Sequence, residues 1–151
     1  MQRYADDARG AAASLITDGP VLPHIGELLA DVLAAARTSP GRGCMLGNTA
    51  AELLPHDDTA RQVISTAFGA LEGAIEQALA IARHNGEIRQ DIDCGAQARL
   101  LVALMQGLHI VARVEPDPHR FDDVVHAALA PLKPRRPRGA EDPRKTRQSD
   151  R

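Results

Sequence analysis

The chain has 151 residues, 44% hydrophobic and 25% charged with a net charge of −2, the composition of one folded domain with a real core. Alanine supplies 26 residues while Tyr4, Phe68 and Phe121 are the only aromatics, so helices are favoured over sheets, which need β-branched and aromatic side chains. No apolar run nears the roughly 18 residues of a membrane span, and the start, with Asp6 and Asp7, is no secretory signal. Cys44 and Cys94 stand apart without CxxC spacing, which excludes a disulfide scaffold or zinc ribbon and points to a reduced, cytoplasmic setting.

Residues 1–17 begin inside a helical pattern with no start signal before Tyr4, and Gly19 and Pro20 break it. A second helix follows, with Pro23 in its first turn and Leu22, Ile25, Leu29, Val32, Leu33 and Ala36 on one buried face. After a loop over 38–43, a third helix is predicted over 42–54, ending before Pro55. Its Cys44, Gly47, Asn48 and Ala51 form a strip of small, weakly polar side chains. Asp57 and Asp58 supply a cap and first-turn charge for a fourth helix over 59–84, which Asn85 and Gly86 end.

Asp93 is the next capping residue, opening a helix to Val114 that is apolar nearly all round. A helix wet on one side is not built so; its second face is expected to meet another subunit. Asp117 and Pro118 open a last helix carrying Phe121, Val124, Val125, Ala128, Leu129 and Leu132, stopped by Pro131 and Pro134. The expectation is an all-α bundle of about six helices over 1–132, the last two forming a four-helix bundle with their symmetry mates. Residues 133–151 hold eight basic and three acidic residues and no large apolar side chain, so they are expected to form a disordered basic tail. A solvated, solubilising role is the bland reading of that tail; nucleic-acid or acidic-surface binding is the sharp one.

Three blocks, 43–53 (GCMLGNTAAEL), 86–93 (GEIRQDID) and 106–113 (QGLHIVAR), resemble in order and spacing the C-terminal regulatory domain of TetR/AcrR-type bacterial transcriptional regulators. Gln2-Arg3-Tyr4 also looks like the start of the helix that follows the DNA-binding domain in these regulators. The resemblance implies a ligand-sensing, dimerising domain that acts on an N-terminal helix-turn-helix. That helix-turn-helix is missing from the sequence as given, so the chain by itself is expected not to bind an operator.

A ligand cavity is expected between the third, fourth and fifth helices, with Cys44, Asn48, Phe68, Leu71, Met105 and His109 as lining candidates. For Phe68, Leu71 and Met105 the alternative is core packing. For Asn48 it is an amide satisfied by nearby backbone, and for His109 a histidine packed in the core or interface. The dimer surface is expected on Leu101, Leu104, Leu108, Val111, Phe121, Val125, Ala128 and Leu129, against the alternative that these faces pack only within one chain.

His24, His56, His84, His109, His119 and His126 form no HxxxH or ExxH pair, and no catalytic motif, phosphate loop or cofactor motif is present. The expected function is therefore a homodimeric regulatory domain for a small apolar or amphipathic ligand, with no metal, cofactor, enzyme activity or membrane partner. The rival is a stand-alone dimeric small-molecule-binding or partner-sequestering protein.

Overall fold

A computed structural model of the chain describes Gly10 and residues 19–39, 41–53, 57–115 and 117–134. Five α-helices lie among them: α1 Val21–Thr38, α2 Met45–Leu53, α3 Asp58–His84, α4 Cys94–Val114 and α5 Pro118–Leu129, followed by a 3-10 turn, Ala130–Leu132. No strand occurs among the described residues. The helix expected over 1–17 and the tail beyond residue 134 lie outside them.

Local chemistry sets most helix ends. Asp57 accepts from the Ala60 N–H at 2.9 Å and Asp93 from the Ala96 N–H at 2.9 Å, each satisfying a donor the helix cannot. Asp117 does the same for His119 at 3.1 Å, with Pro118 in the first turn where its missing N–H costs nothing. Gly86, at φ 76°, turns the chain out of α3.

The helix start at Pro20 has no side-chain cap of its own. Its acceptor comes from across the fold: the Glu87 carboxylate takes the Val21 N–H at 2.7 Å. The turn after α3 grips a second element too, since the Arg89 N–H donates to the Leu132 carbonyl at 2.9 Å.

Helix α3 packs along α4, and α1 packs against α3, α4 and α5. Ile25, Leu29, Ile75, Leu79, Leu101, Phe121 and Leu132 fill the centre. Each contributes roughly 1.5–3 kcal/mol by leaving water. The fully enclosed Ala78, Ala82, Ala98 and Ala112 add little area but let the α3 and α4 backbones approach.

By length and composition alone α4 is apolar enough to cross a membrane, which corrects the expectation that no segment reaches that size. Its position accounts for its composition: Cys94, Ala98, Leu101, Val102, Leu108 and Ala112 face the core, while Leu100, Ile110 and Val114 are exposed on the other side.

Candidate ligand-binding cavity

A small satellite core of Leu46, Ile64 and Ala67 pins α2 to α3, and Phe68 packs on both this cluster and the main core. The α2 backbone rests on α3 and stands away from α4. The gap is a cavity of about 420 Å³, walled by Cys44, Asn48 and Ala50 from the α2 side, Phe68 from α3, and Gln106, His109, Ile110 and Arg113 from α4. A second lobe of about 310 Å³ lies beside it under the end of α1, lined by Ala35, Ala36, Thr38 and Met45. Both lobes share Gly43, Cys44 and His109.

Two glycines hold the walls at this distance. Gly43 sits at φ 59°, and a Cβ there would stand 3.0 Å from Arg113 Cδ. This left-handed residue also explains why α2 begins at Met45 and not near residue 42. A Cβ on Gly47 would stand 2.9 Å from Gln106 Oε1.

Asn48 is bonded at both ends of its amide. Its Nδ2 donates to the Arg42 carbonyl at 2.8 Å, and its Oδ1 accepts from Arg113 Nη1 at 3.2 Å. The backbone satisfaction weighed for this amide is thus half of the answer; the other half ties α2 to α4. His109 is half-buried, and burial pushes its imidazole below the ordinary 6.5, so it is neutral at physiological pH. Gln106 Oε1 is enclosed and has no hydrogen-bond partner.

Of the lining candidates, Cys44, Asn48, Phe68 and His109 come together on this cavity. Leu71 and Met105 do not: Leu71 is buried in the main core and Met105 packs against it. Met105 is one residue from Gln106, a rotation of about 100° that turns it from cavity to core. Gln106 and Arg113 escaped the sequence reading. The signal was present, since Gln106, His109 and Arg113 recur at i, i+3 and i+7 as the polar line of an apolar helix.

The two outer blocks singled out in the sequence, 43–53 and 106–113, are therefore opposite walls of one cavity. The middle block, 86–93, is elsewhere, capping α1 and holding Leu132. Residues 21–128 match the tetracyclin repressor-like C-terminal domain family. The chain belongs to that family.

Two curated relatives fit this TetR-like domain. The HTH-type transcriptional repressor DhaR of Mycobacterium sp. (strain GP1) is 27% identical over 134 residues, 87% of this chain and 67% of that protein. The HTH-type transcriptional regulator YezE of Bacillus subtilis (strain 168) is 32% identical over 92 residues, 60% of this chain and 47% of that protein. No solved structure matches at a significant level. Membership makes this a non-catalytic, all-α domain of the bacterial cytoplasmic regulators. Among the described residues of the TetR-like domain, no three His, Cys, Asp or Glu side chains stand close enough to hold a metal ion.

The residues of the expected dimer surface differ in how far they are buried within the chain. Leu101, Leu108, Phe121 and Leu129 are buried in the chain's own core. Leu104, Val111, Val125 and Ala128 are half-buried against that core. The free apolar face of α4 is a different one: Leu100, Ile110 and Val114 are 56%, 67% and 84% exposed. With Ala103 and Gly107 they recur at three- and four-residue spacing along one side.

A larger groove of about 520 Å³ runs between α1 and α5, over Leu22, Leu33, Phe121 and Leu129, with Glu27 and Asp122 also on it. Neither cavity-wall block reaches it.

Proposed function

We propose that the chain is the ligand-sensing and dimerisation domain of a TetR-like transcriptional regulator. The carrying observation is the cavity between α2 and α4: its walls are the two family blocks, and its surface is mostly apolar with a few polar groups among the lining. The ligand in this reading is a small apolar or amphipathic molecule. It bridges α2 and α4, elements tied to each other by Asn48 and Arg113, so occupancy favours one spacing of the two helices over another.

The occupant of the exposed α4 face in this reading is a second copy of the chain. A two-fold axis sets the stripe against itself, with the small Ala103 and Gly107 at the crossing and Leu100, Ile110 and Val114 on either side. Space is open above Gly107, where a Cβ would meet nothing within 4 Å. DNA contact belongs to a helix-turn-helix outside the matched residues. Ligand binding acts on it by changing how the two copies are held relative to one another.

Calorimetry and sedimentation test both parts. Small aromatic amphiphiles should bind the wild type, and Ala50→Phe, which fills the cavity, should abolish that binding. The wild type should sediment as a dimer and Leu100→Glu as a monomer of unchanged helicity. A wild type that is monomeric at micromolar concentration, or one in which Ala50→Phe leaves binding intact, would overturn the respective part.

A further inference from the structure

We propose that the cavity selects an uncharged amphiphile, one whose hydroxyl-type donor pairs with Gln106 Oε1 while its apolar body lies along Phe68, Ala50 and Ile110. The inference rests on the cavity being a ligand site and adds the chemical class of the ligand.

Gln106 Oε1 is enclosed against Gly47 and unpartnered, although buried polar atoms are nearly always hydrogen-bonded, and a turn of this flexible side chain presents it to the cavity that Gln106 lines. The other polar groups on the walls do not meet that need. Asn48 bonds the Arg42 carbonyl and Arg113 instead. No residue lining either lobe is an Asp or Glu, while Arg113 lines the first and Arg42 the second.

The charge of the ligand follows. A carboxylate offers only acceptors, so its lone pairs would face those of Gln106, and one drawn instead to Arg42 or Arg113 leaves the Gln106 oxygen unpaired. An ammonium offers donors but must shed its water with no carboxylate to replace it and two guanidiniums nearby. A neutral hydroxyl or amide N–H meets the oxygen at neither cost. His109 beside it is neutral as well, held so by the same low-polarity surroundings. A ligand without a donor leaves this oxygen unpaired, so the donor is selected for and not merely tolerated. The second lobe, reached past His109 and Cys44, gives room for the apolar end.

The test is calorimetric titration of the full chain with four probes of near-equal size: benzyl alcohol, ethylbenzene, benzylammonium and benzoate. Gln106→Leu and Gln106→Met, each checked for unchanged thermal unfolding, remove the acceptor and keep the volume. The alcohol-to-hydrocarbon affinity ratio should fall about five- to tenfold in both variants, the loss of one hydrogen bond. Both ions should bind the wild type more weakly than the alcohol. A ratio unchanged in both variants, or an ion that binds as tightly as the alcohol, overturns the inference while leaving the cavity a ligand site. Failure of all four probes to bind overturns both.

Discussion

Glu87 lies 66 residues from Val21 in sequence, yet its carboxylate takes the Val21 N–H at 2.7 Å. Helix α1 has no other side-chain cap and no acidic residue in its first turn. Val21 is 2% exposed, so Glu87→Ala leaves its N–H in a place that water reaches poorly. An unsatisfied buried donor costs about 1–3 kcal/mol, and loss of a negative charge at a helix N-terminus adds about 0.3–1 kcal/mol. A total near 2–3 kcal/mol is expected. Glu87→Gln keeps an acceptor and loses the charge, so it should cost about 1 kcal/mol. Urea unfolding reads the difference: with a slope of about 1–3 kcal/mol per molar urea, the alanine midpoint should fall by about 1 M and the glutamine midpoint by less than half of that. All three proteins must be compared at one concentration, because a dimer's stability depends on it. An alanine midpoint equal to that of the wild type would refute the view that the middle block caps α1.

Two further outcomes follow from the cavity. Gly47→Ala adds a methyl 2.9 Å from Gln106 Oε1, the far end of a flexible side chain, inside a helix where alanine is favoured over glycine by about 1 kcal/mol. Thermal unfolding should show unchanged or slightly raised stability, while calorimetry shows severalfold weaker benzyl alcohol binding; retained affinity would count against the position assigned to Gln106. For His109 the folded value lies below 6.5 because burial disfavours the imidazolium. The unfolded chain therefore takes up its proton first as pH falls. This destabilisation is absent above the unfolded value, grows between 6.5 and the lower folded value, and is constant below that. Between about pH 8 and about pH 5, His109→Gln should lose less stability than the wild type; equal losses in urea midpoints would remove the burial argument.

The helix ends were legible because they are set by neighbours in sequence: Asp57, Asp93 and Asp117 each cap the turn they precede, and Gly86 closes α3. The cap on α1 was not, since its acceptor lies far along the chain. The orientation of α4 was hidden for another reason. Periodicity reveals a buried face by contrast with a polar one, and around α4 there is little contrast, so Leu101 and Leu108 were assigned outward and Leu100 and Ile110 were passed over. Within the cavity, Cys44, Asn48 and His109 stood out as polar groups among small or apolar neighbours. Gln106 is an ordinary helix residue, and only the glycine facing it across the gap shows what it does.

The turn after α3 holds Val21 through Glu87 and Leu132 through Arg89, so α1 begins and the last turn ends at one corner of the bundle. Anything joined ahead of α1 or behind the last turn hangs from that corner. At its other end α1 borders the second lobe of the cavity through Ala35, Ala36 and Thr38, about 20 Å away at 1.5 Å per residue. Helix α1 is thus a beam that runs from the corner where attachments meet the bundle to the edge of the cavity. Between the two ends Ile25, Leu29 and Val32 seat it in the packed core, so a displacement at one end is felt by the core residues before it reaches the other.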